Sequence, residues 1–158
     1  TKDYQDMGIK APAWQNLSLI LIRVRGSLPM RDVTVLPERT NIEVLADPLF
    51  EKVFYNLIDN ALRYGGERLT TIRVSTREDA EGLVITVEDN GAGIAQEDKV
   101  RLFSRGFGKN TGFGLFLSRE ILSITGMTIQ ETGTPGTGAR FEIRVPEGAY
   151  RSMNEMVT

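Results

Sequence analysis

The stretch "VITVEDNGAGIAQEDK", Val84 to Lys99, opens as a β-strand and breaks into glycines with no intervening helix or polar linker. Val84, Ile85, Thr86 and Val87 are β-branched and suit a pleated, half-buried surface. Asp89 then stands at the strand's end, followed by Asn90, Gly91 and Gly93. A carboxylate delivered there, beside glycines that allow close backbone approach, suits a pocket in which it accepts hydrogen bonds from a ligand amine such as that of adenine. Taken alone, the same residues also read as an Asp-Asn-Gly turn closing a strand. A calcium loop does not fit. With Gly91 at its sixth position and Glu97 at its twelfth, Thr86 would fill the first ligand position, and a strand would precede it.

Upstream, "TTIRVST" (Thr70 to Thr76) alternates with period two and is joined to the Asp89 strand by the charged "REDAEG", which predicts an antiparallel hairpin. Before it lies the best-marked helix. Asp47-Pro48 offers a capping carboxylate and a first-turn proline, and Phe50, Val53, Phe54, Leu57, Ile58, Ala61 and Leu62 follow at helical spacing as far as Gly65-Gly66. Asn56, Asn60 and Arg63 share one side of this helix. Asparagine is a poor choice inside a helix, so the pair suggests amide oxygens for a magnesium ion, with Arg63 for a phosphate. A solvated helix face accounts for the same spacing.

Downstream, "RGFGKNTGFGLFLSREI" (Arg105 to Ile121) places Gly106, Gly108, Gly112 and Gly114 around Lys109, ahead of a helix expected from Gly114 to Ile124. A glycine-rich segment opening a helix is suited to bind phosphate, although as a lone signal it equally describes a flexible linker. Its glycine offsets match neither the dinucleotide-binding fingerprint nor a P-loop. A helix is also expected near Glu97 to Phe103, and another from Trp14 to Arg25, ending at Gly26. "DVTVLP", "NIEVLA", "MTIQETG" and "ARFEIRV" read as strands, the last two joined by "GTPGTG". Together these elements predict an α+β fold, a two-layer sandwich of a mixed, mostly antiparallel sheet with helices packed on one face.

At 158 residues and 41% hydrophobic composition, the chain is sized for one ordinary domain. A net charge of −2, from 19 basic and 21 acidic residues, provides no broad cationic face for nucleic acid or for a membrane surface. The absence of cysteine excludes disulfides and thiolate zinc sites, and the absence of histidine excludes Ser-His and Cys-His catalysis and any phosphohistidine carried by this chain. The longest apolar run, Leu17 to Ile22, is too short to span a bilayer, and Thr1 opens no signal peptide. These features are those expected of a cytoplasmic piece of a longer protein, a membrane-bound sensor being one such, and monomeric in isolation.

The order of the motifs carries more than any one of them. Asn56 to Ala61, then Asp89 to Ile94, Phe103 with Phe107, Gly112 to Leu115, and Gly136-Thr137-Gly138 before Phe141 resemble the N, G1, F, G2 and G3 boxes of the GHKL superfamily. The resemblance runs from Trp14 to Pro146 and is closest to the catalytic ATP-binding domain of sensor histidine kinases, with its Bergerat-type fold. It implies ATP and Mg2+ as cofactors. Asp89 would hold the adenine amino group, Gly91, Gly93 and Ile94 would border the base, and Tyr64 would pack on the ring. Asn60, helped by Asn56, would ligate magnesium. Arg63, where the family more often has lysine, and Lys109 would meet phosphates, as would Arg105 and the lid residues Gly112, Phe113, Gly114 and Leu115. Thr137 would be a further nucleotide contact. Asn56, Asn60, Arg63 and Lys109 would form the catalytic set.

The position four before Asn60 distinguishes members of the superfamily. ATP-hydrolysing relatives and related serine kinases have a glutamate general base there, whereas this chain has Asn56. An amide accepts no proton usefully near neutrality, while a neutral imidazole is already nucleophilic. Phosphoryl transfer to a histidine is therefore favoured. Asp59, one position before Asn60, points elsewhere on the helix. The resemblance assigns residues 1–8 to the end of a phosphoacceptor and dimerisation helix, 9–148 to the catalytic domain and 149–158 to a tail. The partner would be that phosphoacceptor domain, with a response regulator engaged through it. A GHKL ATPase or serine kinase, and a noncatalytic nucleotide-gated module, remain as alternatives.

Overall fold

The structure is a computed structural model and describes residues 7–105 and 114–153. In chain order the elements are β1 (Ala13–Asn16), α1 (Leu17–Ser27), β2 (Thr34–Glu38), β3 (Ile42–Ala46), α2 (Phe50–Tyr64), β4 (Thr71–Asp79), β5 (Gly82–Asp89), α3 (Gln96–Lys99), α4 (Gly114–Ser123), β6 (Thr128–Glu131), β7 (Arg140–Pro146) and β8 (Tyr150–Ser152). The main sheet has five strands in the order β2-β4-β5-β7-β6, and only its β2–β4 pair is parallel. This is the expected mixed, mostly antiparallel α+β arrangement.

Strand register decides which side chains face the helices. Val74, Val87 and Phe141 stand in one cross-strand row, and Ile85, Ile143 and Ile129 in another. All six are buried, together with Leu17, Ile20 and Val24 of α1, Phe50 and Phe54 of α2, and Ile121 and Leu122 of α4. Phe50 and Phe54 meet edge to face, with ring centroids 5.1 Å apart, a geometry worth about 0.5–1.5 kcal/mol beyond area burial. The opposite side of the sheet carries charge. Arg77 pairs with Glu142 at 3.7 Å, and Arg144 pairs with Asp79 at 3.0 Å. Val84 lies on this side between Arg77 and Arg144 and is nevertheless buried, as expected where arginine stems lie along an apolar side chain. Asp89 is two residues beyond Val87, so the period of the strand puts its carboxylate on the helix side of the sheet.

The structure corrects several expected boundaries. Trp14 lies on β1, not on a helix; α1 starts at Leu17, where the Asn16 side chain accepts from Leu19 N at 3.0 Å. The Trp14 ring instead carries the Arg151 guanidinium at 4.0 Å. Asp47 caps a turn that precedes α2, accepting from Leu49 N at 2.9 Å through Oδ1 and from Gly8 N at 3.0 Å through Oδ2. The helix expected near Glu97 to Phe103 is the short α3 followed by turns. β1, β3 and β8 form a separate three-stranded sheet. β8 comes from the stretch read as a tail, while the helix end expected at the start of the chain lies, through residue 6, outside the described residues.

Candidate nucleotide site

Between α2 and the glycine loops at the end of the main sheet is a cavity of about 360 Å³. Leu57, Asn60, Ala61 and Tyr64 supply the α2 wall, a face set by the helical repeat. Asp89 and Ala139 close the sheet side with Phe141, while Gly93, Ile94, Ala95, Asp98 and Leu102 form the wall after β5; Leu115 enters from α4. The walls are mostly apolar, with few polar groups, as suits a flat aromatic ligand. Tyr64 stands at the rim with 49% of its surface exposed.

Asp89 is oriented by backbone. Its Oδ1 accepts from Gly91 N at 2.9 Å and from Ala139 N at 3.2 Å, and its own N–H donates to Ala139 O at 2.9 Å. No described residue donates to Oδ2, which leaves a fixed acceptor for an amine in the cavity. Gly138 is required by this packing: a Cβ there would lie 2.0 Å from Asp89 O. Gly91 is required by the next turn, where its Cβ would meet Gly65 O at 2.6 Å and Ala92 N donates to the same oxygen at 2.9 Å. Gly91→Ala should therefore cost about 1–3 kcal/mol of stability through overpacking and weaken ligand binding. Gly26→Ala, in α1 where the new Cβ would meet nothing within 4 Å among the described residues beyond its own helix backbone and chain neighbours, should leave stability equal or about 0.5–1 kcal/mol higher. Urea denaturation of the two variants beside the parent checks this contrast.

Asn60 faces the same cavity, and its Oδ1 is buried with no hydrogen-bond partner among the described residues. A buried amide oxygen left unpaired is costly unless something else meets it. Asn56 has a different position. Its Nδ2 donates to Gly114 O at 3.0 Å and to Ser118 Oγ at 3.1 Å, bracing α2 against the first turn of α4, outside the cavity lining. Arg63 also stands outside the lining, with Nε donating to Asp59 Oδ2 at 3.0 Å; that hydrogen bond raises the guanidinium pKa above its ordinary value. Thr137 turns back on its own loop, donating from Oγ1 to Thr134 O at 2.9 Å, and Arg105 lies 5.1 Å from the Phe116 ring centroid. Gly91 and Gly114 shape the site through backbone. Lys109, Gly112 and Phe113 lie outside the described residues, as does Phe107.

Three residues matter here that the motifs did not single out. Arg68 donates through one guanidinium nitrogen to Gly91 O, at 2.9 Å, and to Gly136 O, tying the two glycine loops together. Nothing in its local sequence marks it. Asp98 brings a second carboxylate to the cavity, from a helix too short to show a period. Ala139 lies opposite Asp89, a pairing that follows from extending the β5–β7 register by one residue. Leu57, Leu102 and Phe141, read as core, are both core and cavity wall.

A backbone-fixed aspartate at the end of the central strand β5 and an asparagine from α2 thus share one mostly apolar cavity, an arrangement suited to a small ligand that carries an amine donor. Residues 46–149 match the family of histidine kinase-, DNA gyrase B-, and HSP90-like ATPases, and the chain belongs to that family. Among its relatives, the sensor protein KdpD of Escherichia coli (strain K12) is 32% identical over 127 residues, covering 76% of this chain and 14% of KdpD. The sensor histidine kinase TmoS of Ectopseudomonas mendocina is 31% identical, covering 98% of this chain and 18% of TmoS. The ATP-binding domain of PrrB from Mycobacterium tuberculosis superposes with a TM-score of 0.68 at 24% identity, covering 87% of this chain and 98% of that domain. The chain thus corresponds to the catalytic ATP-binding part of sensor histidine kinases and spans under a fifth of the length of these two full-length relatives.

Proposed function

We propose that this domain binds Mg-ATP in the Asp89–Asn60 cavity and transfers the γ-phosphoryl group to a histidine on a phosphoacceptor and dimerisation domain outside this chain. The observation that carries the reading is the pairing of the two polar groups in one apolar cavity: the free Oδ2 of Asp89 and the orphaned Oδ1 of Asn60. Asp89 accepts from the adenine amino group, and Tyr64, Gly93 and Ile94 enclose the base. The described residues contain no cluster of three or more His, Cys, Asp or Glu side chains able to hold a metal by themselves. An amide oxygen awaiting a partner fits a hard cation that arrives with the phosphates. Asn60 would hold that ion, with Asn56 bracing α2 against α4 one turn away, and magnesium when bound would neutralise the developing phosphate charge. Arg63 reaches phosphate by leaving Asp59, and Arg105, Lys109 and the segment Gly112 to Leu115 complete the phosphate side as a lid.

Asn56 sets the acceptor. Its amide is committed as a donor to α4 and is no base near neutrality, and Asp59 stands outside the cavity lining, so neither is placed to deprotonate a hydroxyl or water there. A neutral histidine needs no such base. The phosphorylated histidine would then serve a response regulator. No helix among the described residues is long and apolar enough to cross a membrane, in keeping with a domain on the cytoplasmic side. Incubating the chain with labelled ATP and its cognate phosphoacceptor domain should give acid-labile, alkali-stable label on the acceptor and none on this chain. Acid-stable phosphoserine, or steady phosphate release without transfer, would contradict the proposal.

A further inference from the structure

Glu131 ends β6 opposite Phe141, on the helix side of the sheet, with only 2% of its side chain exposed. Burying a carboxylate is unfavourable unless each of its oxygens is met. Here Oε2 accepts from Gly133 N at 3.1 Å and from Arg140 N at 3.0 Å, while Oε1, which accepts no hydrogen bond from the described residues, is met by the Lys99 ammonium as an ion pair at 2.8 Å. The same ammonium donates to Gly133 O at 2.5 Å. Neither residue lines the cavity.

The two segments that this pair joins do line it or hold what lines it. Lys99 is the last residue of α3, which follows Ala95 and carries Asp98 on the cavity wall. On the other side, the turn after Glu131 sends Gly136 N to Ala92 O at 2.9 Å and ends at Ala139, whose N–H fixes Asp89 Oδ1. Two apolar side chains would hold these segments together equally well, since replacing a buried ion pair by apolar residues is often neutral or stabilising. They would not direct the amides of Gly133 and Arg140, and hence the path of the turn toward Asp89. Resting on the ATP reading above, we infer that Lys99 and Glu131 are positioning residues for the nucleotide base, setting the Asp89–Ala139 contact and the α3 wall from outside the cavity.

The test compares Glu131→Gln, Lys99→Met and the paired Lys99→Met/Glu131→Met with the parent, measuring thermal midpoint and calorimetric affinity for ATP and ADP. Each single variant should bind both nucleotides about tenfold more weakly, the loss of the buried ion pair expressed at the site. The paired variant should be more stable than either single variant, since no charge is left buried without its partner, while its affinity for ATP and ADP stays about tenfold lower, equally for both. Recovery of affinity together with stability would reduce the pair to packing and overturn the inference. A loss for ATP with none for ADP would overturn it as well, because it would locate the effect at the terminal phosphate. A parent that binds neither nucleotide would overturn the ATP reading itself; a parent that binds them with all variants alike would overturn only this inference.

Discussion

Asp89→Asn should weaken ATP binding at least about a hundredfold while the domain stays folded. The carboxylate has one oxygen committed to the Gly91 and Ala139 amides and one left for the ligand. An amide in its place must turn its NH2 either toward two backbone donors or toward the adenine amine, so a hydrogen bond is lost in both orientations and two donors face each other. A charge-assisted hydrogen bond is worth about 1.5–3 kcal/mol, and the mismatch adds to it. Selectivity provides a second readout. The parent should reject a nucleotide with a 6-oxo base, which presents an acceptor to the carboxylate, whereas the variant's amide can donate to it. Inosine triphosphate should therefore bind the variant at least as well as ATP does. Equal ATP affinity in the two proteins would remove Asp89 from base recognition.

Asn60→Ala should have opposite effects on stability and function. In the nucleotide-free domain the substitution removes a buried oxygen without a partner and improves helix propensity, so stability should rise by about 0.5–1 kcal/mol. Transfer to the phosphoacceptor should fall at least about a hundredfold, the scale on which removing a preorganised charge-stabilising group acts. ATP affinity measured without magnesium should be unchanged, and its increase on adding magnesium should disappear. Such a trade between stability and activity is expected where a polar group waits for its ligand. A variant that loses stability, or one that keeps the magnesium effect, would place the ion elsewhere.

The layered fold was legible because its helices and strands follow simple repeats. The apolar spacing from Phe50 to Ala61 marks α2, and the alternation in β4 and β5 marks the hairpin. Asp89, Asn60, Tyr64, Gly93, Ile94 and Leu115, assigned through the resemblance, all line one cavity. What stayed hidden depends on contacts distant in sequence. Trp14 fits a helical period by its spacing, yet pairing with Leu45 of β3 holds it in a strand. β8 exists only because Tyr150 to Ser152 meet β3. Asn56 and Asn60 lie one helical turn apart and look equivalent in sequence, but Ser118 and Gly114 of α4 occupy the amide nitrogen of the first, and no described residue meets the oxygen of the second. Arg68, which joins two loops through their carbonyls, leaves no local trace because its partners, Gly91 and Gly136, are scattered along the chain.

The most direct measurement is a titration of the isotope-labelled chain with Mg-ATP, followed through its backbone amide resonances. The account predicts saturable shifts concentrated at Gly91, Gly93, Ile94, Leu115 and Ala139, with Glu43 and Arg151 of the small sheet unmoved. A well-dispersed spectrum that Mg-ATP leaves unchanged, or shifts centred on the small sheet, would contradict it.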